Sequence, residues 1–282
     1  MLFLAAFFVR SKNHHGGSFV ASEAIVTSYL ASPGFCHARR DGLRVHIVHD
    51  APLSRNYTRF RFAAFFPVGS HPNITSNEFR FLVFRDHLRA RRADADAHIY
   101  LTDLADVTVL MPPPPLRAGG LAVASDAQGA RRWLWEKGQR IGYAKEDAYM
   151  RALRNGSAFV YNCGIVGGRA DALRAFLDAL VAELAAFWAR RPVQDTCFGA
   201  DMFFANRLLA AAAAAPLTGH PRGPVNLPMW AVVPGCSAHA CRHEFLRRTM
   251  GTYWFGHKIP PTWTAVFRHA YCAVATDDRS RP

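Results

Sequence analysis

Asp103 and Asp106 close a short apolar run, "HIYLTDLADV", just ahead of the proline run Pro112 to Pro115. Two carboxylates three positions apart at a strand end can converge on one cation. Magnesium and manganese prefer oxygen ligands, and magnesium commonly takes one or two carboxylates, with water and substrate phosphate filling the rest. An aspartate pair is too poor for an all-protein cage and suits an ion that bridges the protein to a diphosphate. The competing reading makes Asp103 a turn cap and leaves Asp106 solvated.

Three later stretches hold further candidates. "YNCGIVGGRADAL" carries Gly164, Gly167 and Gly168, which permit tight turns and close backbone approach to a ligand. The helix expected after them offers unpaired N–H groups to oxygens. The plain alternative is a strand-to-helix turn that needs glycine at positive φ. "QDTCFGADMFFANRL" supplies Asp195, Asp201 and Asn206. Asp195 also reads as a loop acid, and Asp201 as an acid favoured by a helix N-terminus. "YWFGHKIPPTW" supplies His257 and Lys258, a cationic pair able to meet developing negative charge, or a surface pair beside aromatics.

The elements that must position these residues are legible as patterns. Leu2 to Val9 is a continuous apolar run, suited to a strand covered on both faces. "SFVASEAIVTSYLAS" is helical in texture and stops before Pro33-Gly34. "LRVHIVHD", "RFRFAAFFPV" and "AHIYL" read as strands. Thr75 and Glu78 have capping-box spacing and predict a helix start, with apolar flanks from Phe79 to Leu88. A helix is predicted over about 171–190, ending at Arg190-Arg191-Pro192, and another over 200–215, ending at Pro216. The strand, helix, strand, strand, helix, strand rhythm predicts an α/β fold with a mostly parallel sheet and helices on its faces. Ligands in such sheets sit beyond the carboxyl ends of the strands, where Asp103 and Asp106 fall.

"NEFRFLVFRDHL", "IYLTDLADV", "YNCGIVGG" and "GADMFFANRLL" together resemble, in that order, glycosyltransferases of the GT-A fold, in particular the glycogenin-like and related plant and algal branches. The resemblance covers roughly residues 1 to 260. It implies a GT-A (Rossmann-like) mixed sheet in a single domain over 1–282. Residues 1–110 would form the nucleotide-binding half, 111–260 the acceptor and sugar half, and 261–282 a tail. It implies a nucleotide-sugar donor, a carbohydrate or glycoprotein acceptor, and Mn2+ or Mg2+ on the donor diphosphate. By position, Asp103 and Asp106 match the metal-holding Asp-x-Asp element, here spaced Asp-x-x-Asp, with His257 as a further ligand. Asn162, Gly164, Gly167 and Gly168 would line the sugar pocket, and Lys258 would meet the diphosphate. An acid, Asp201 or Asp195, would lie near the transferred sugar. The Lys-Pro-Trp pattern that follows the histidine in glycogenin-type members is absent here.

A net charge of +13 favours anionic partners, and clusters such as Arg89, Arg91 and Arg92 read as a solvated basic face. No nucleic-acid-binding grammar accompanies the charge, which counts against a nucleic-acid module. The six cysteines are spread too widely for a small disulfide scaffold. In "CSAHACRH", Cys236, His239, Cys241 and His243 are spaced more tightly than structural zinc pairs, so the expectation is a local Cys236–Cys241 disulfide or simply loop cysteines. No apolar stretch reaches the roughly 20 residues of a transmembrane helix. Asn56, Asn73 and Asn155 begin glycosylation sequons. The resemblance implies the Golgi or secretory lumen, while the residues leave a cytoplasmic location open. A nucleotidyltransferase of the same fold, a catalytically degenerate relative and a basic binding protein are the rival readings.

Overall fold

The computed structural model describes residues 1–10, 22–54, 56–71, 73–91, 97–126, 130–190, 200–212, 216–219, 223–228 and 252–257. In chain order the strands are β1 (Leu2–Phe7), β2 (Arg44–His49), β3 (Ala63–Pro67), β4 (His98–Asp103), β5 (Val107–Val109), β6 (Leu121–Ser125), β7 (Tyr161–Arg169), β8 (Asn226–Pro228) and β9 (Phe255–His257). The helices are α1 (Glu23–Leu30), α2 (Ser76–Ala90), α3 (Ala130–Arg140), α4 (Ala148–Arg154), α5 (Ala170–Arg190) and α6 (Ala200–Ala211).

Six strands form one sheet in the order β3-β2-β1-β4-β7-β6. β1, β2, β3 and β4 run parallel, while β7 runs antiparallel to both β4 and β6. Strand alternation explains why β1 is apolar throughout. Leu2 and Leu4 enter a core shared with α2, α5 and α6, whereas Phe3, Ala5 and Phe7 enter a second core shared with α1. The expected mixed, mostly parallel sheet with helices on both faces is what the chain forms. β5, β9 and β8 make a small separate sheet that contributes Val107, Val109 and Phe255 to the second core.

Local signals set the element ends. Ser22 caps α1, its hydroxyl accepting from Ala24 N at 3.2 Å. Thr75 caps α2, accepting from Glu78 N at 3.4 Å. The third strand is shorter than its apolar run predicts. Turns carry the chain through Phe60 and Phe62, with Phe60 N bonded to Tyr57 O and Ala63 N to Phe60 O. The Phe62 ring packs instead on Phe35, with centroids 5.5 Å apart.

"YNCGIVGG" departs from the expected glycine turn. It lies wholly within the nine-residue strand β7, and none of its glycines has positive φ; the described glycines that do are Gly42, Gly119, Gly142 and Gly156. Strand pairing on both sides holds the segment extended, so its glycines serve close packing, not turning.

Candidate active site

Alternation along β4 aims its last residue. Ile99 and Leu101 point into the core that α2 and α6 cover, so Asp103 points the same way at the strand's carboxyl end. Thr102 points to the opposite face, where its hydroxyl bonds Tyr29 Oη at 2.6 Å. The neighbouring strand pairs Thr102 with Ile165, which brings Gly164 alongside Asp103. A Cβ on Gly164 would lie 2.8 Å from Asn162 Oδ1 and 2.9 Å from Asp103 Oδ2. The missing side chain is therefore what leaves room beside the carboxylate. Gly164 N donates to Asn162 Oδ1 at 2.7 Å, and Asn162 Nδ2 donates to Asp126 Oδ2 at 3.1 Å. Asp126 follows β6, which runs parallel to β4, so it emerges at the same edge of the sheet.

Arg80 ties this edge to the helices. Its Nη1 pairs with Asp103 Oδ1, and its Nη2 lies 3.5 Å from Asp201 Oδ2 in the first turn of α6. The side chains of Arg80 and Asp201 are 9% and 3% exposed, against 28% for Asp103. The guanidinium thus joins a buried carboxylate to one that solvent still reaches. Glu78, one turn from its Thr75 cap, is buried close by. Desolvation, and then the charge of Asp201, push its carboxyl up to about 7. Burial also raises the Cys163 thiol well above its usual range, with Asp201 and Asp126 adding to the effect and Arg80 opposing it. That makes Cys163 an inert thiol.

The other expected residues are distributed as follows. Asp106 is half-buried in the three-residue turn between β4 and β5. The backbone of His257 pairs with Val107, the residue after Asp106. Gly167 and Gly168 pair with Tyr100 and Ile99, roughly 10 Å down the strand from the Asp103 end at about 3.3 Å per residue. There a Cβ on Gly167 would run into the Tyr100 ring, and one on Gly168 would come within 2.9 Å of Leu121 Cδ2. These two glycines serve sheet packing, away from the carboxyl edge. Asn206 is fully buried and clamps the start of β7, accepting from Tyr161 N at 2.7 Å and donating to Tyr161 O at 2.9 Å. Asp195, Lys258 and the cluster of Cys236, His239, Cys241 and His243 lie outside the described residues.

Two residues of this edge carried readable signals that the motif reading passed over. Arg80 is a charge embedded among Phe79, Phe81, Val83 and Phe84, the mark of a buried charge with a partner. Asp126 ends "LAVASD" in the same strand-then-aspartate manner as "HIYLTD".

Among the described residues no group of three or more His, Cys, Asp or Glu side chains is placed to hold a metal ion. The donor chemistry nevertheless suits a hard dication. The Asp103 side chain is 28% exposed beside the space at Gly164, and the Asp106 carboxyl lies in the turn that follows the same strand.

No family model matches the sequence, and no curated protein does. Among solved structures, the galactosyltransferase LgtC in complex with donor and acceptor sugar analogs is similar over 100% of this chain and 98% of its own, with 13% identity and a TM-score of 0.45. An active-site mutant of LgtC is similar over 98% of this chain and 96% of its own, with 13% identity and a TM-score of 0.46.

Proposed function

We propose that the chain is a glycosyltransferase that moves a hexosyl or pentosyl group from a nucleotide-sugar donor to a hydroxyl of a carbohydrate or glycoprotein acceptor. The observation that carries this reading is the Asp103 carboxylate at the carboxyl end of β4, gripped on one oxygen by Arg80 and left open on the other by Gly164. The ordered motif resemblance of the sequence supports the same reading. Asp103, with Asp106 and His257, would hold Mn2+ or Mg2+. When bound, that ion would neutralise the donor diphosphate and so favour departure of the nucleoside diphosphate.

The chain's own residues then divide the work. Arg80 fixes the rotamer of Asp103. Asp201 is too deeply buried to take a proton from an acceptor, and it acts by holding the other arm of Arg80. Asn162, braced by Asp126, fixes the Gly164 backbone beside the carboxylate. Lys258 adds positive charge for the diphosphate. A general base, where the reaction needs one, is assigned to Asp195.

Thermal-shift screening of nucleotide sugars with and without Mn2+ tests the reading. At least one donor should stabilise the chain only when the ion is present, and Asp103→Asn should erase that ligand-induced shift. The substitution also takes a partner from Arg80, so the readout is the shift on adding ligand and not the unliganded melting point. Equal shifts in both proteins would refute the assignment. Arg80's hold on Asp103 favours a second reading, in which the guanidinium itself supplies the positive charge. Sugar transfer that survives chelation would select it.

A further inference from the structure

Cys36 is disulfide-bonded, although it sits in a chain of ordinary size with a large core. Disulfides form and persist in oxidising compartments and are rare in the cytosol. Independently, the asparagines of all three N-x-Ser/Thr sequons lie exposed. The disulfide indicates an oxidising environment, and exposed sequons are what N-linked modification in such an environment requires. Neither depends on the proposed function.

The three sequons differ in what the fold has done with the hydroxyl. At Asn56-Tyr57-Thr58 the middle residue is the anchor. Tyr57 is 8% exposed and its hydroxyl bonds Glu23 Oε2 at 3.1 Å, so the flanking Asn56 and Thr58 both point to solvent. Asn56 Oδ1 accepts from Thr58 N at 2.9 Å, a turn that folds the asparagine over its own hydroxyl residue. At Asn155-Gly156-Ser157 the asparagine is the C-cap of α4, Gly156 has φ of 72°, and Ser157 is exposed, its hydroxyl donating to Ala152 O at a long 3.4 Å where water can compete. At Asn73-Ile74-Thr75 the situation is reversed. Thr75 is 2% exposed and its hydroxyl caps α2.

We propose that the protein carries N-linked glycans on Asn56 and Asn155, with Asn73 disfavoured because helix capping consumes its hydroxyl residue. The co-reactant is a lipid-diphosphate-linked oligosaccharide. The asparagine Nδ2 attacks its anomeric carbon and forms an N–C bond. The C–O bond to the diphosphate breaks, the lipid diphosphate leaves, and one Nδ2 proton passes to a base of the transferring enzyme. The added sugar stands in solvent at both sites, so no apolar contact has to be given up.

The test is peptide mapping of the full chain isolated from its own cells, with enzymatic glycan release in heavy-oxygen water. Release converts each occupied asparagine to a labelled aspartate. Asn56 and Asn155 should be labelled, and Asn73 should be labelled to a smaller extent than either. Asn56→Gln should remove the mass of one glycan. Unlabelled Asn56 and Asn155 peptides overturn the proposal, and so does labelling of Asn73 above Asn56. Failure here leaves the nucleotide-sugar test untouched, since that test reads Asp103 and not the surface.

Discussion

Replacing Arg80 with methionine probes the central charge arrangement directly. The side chain is 9% exposed and satisfies Asp201, which is 3% exposed, and Asp103, which is 28% exposed. Methionine keeps much of the apolar stem and removes the charge. Breaking a buried ion pair by deleting one partner costs about 3–5 kcal/mol, because an uncompensated charge stays behind. Asp103 can recover water, so most of the cost falls on Asp201, and the lower end, about 3 kcal/mol at pH 8, is expected. At about 2 °C per kcal/mol for a chain of this size, that is a fall of roughly 6 °C in melting temperature.

The cost should depend on pH. Glu78, beside Asp201, is raised to about 7 by burial and by that same aspartate. Its protonated form is favoured in the folded chain, so the stability it contributes is present below the unfolded value of about 4.5 and is lost as pH rises through about 7. Protonation relieves the strain between the two acids, and Arg80→Met should therefore be better tolerated at pH 5 than at pH 8. Urea unfolding followed by circular dichroism at both pH values measures this. Adding Asp201→Asn to Arg80→Met should restore part of the loss at pH 8, as a coupled pair in a double-mutant cycle requires. A loss below about 1 kcal/mol at pH 8, or additive single mutants, would refute the buried triad.

Two further outcomes follow from the geometry. His46 Nδ1 and His87 Nε2 are 3.0 Å apart, and both rings are lowered to about 4, chiefly by burial, with nearby charges adding to it. The folded chain resists protonating them, so stability should fall as pH drops from about 6.5 towards 4. His87→Gln should flatten that limb in thermal melts across pH. Gly164→Ala and Gly167→Ala should separate function from packing. The first crowds Asp103 Oδ2 and should weaken the Mn2+-dependent donor shift. The second drives a methyl into Tyr100, and it should cost about 1–3 kcal/mol while leaving the donor shift of the surviving folded fraction intact.

How much of this was legible in advance varied with the range of the interaction. β1, β2, β4, α2 and α5 were readable because their signals are local: apolar runs, the Thr75–Glu78 cap, and a three-and-four spacing from Leu173 to Phe187. Asp103 was legible as a strand-end acid for the same reason. Gly164, Gly167 and Gly168 share one stretch of sequence but not one environment. Their separation depends on which β4 residue each faces, and that register is a long-range fact.

The sequence by itself determined the alternation of elements, the apolar faces and the placing of an acid after the central strand. Each follows from the conformational preference and side-chain direction of neighbouring residues. Only the tertiary structure decided that Arg80 reaches both Asp103 and Asp201 across 23 and 121 positions (103 − 80 and 201 − 80), and that Asp201 is buried. Those pairings arise when α2 and α6 pack on one face of the sheet. A guanidinium taken out of water must find carboxylates in whatever elements packing brings beside it.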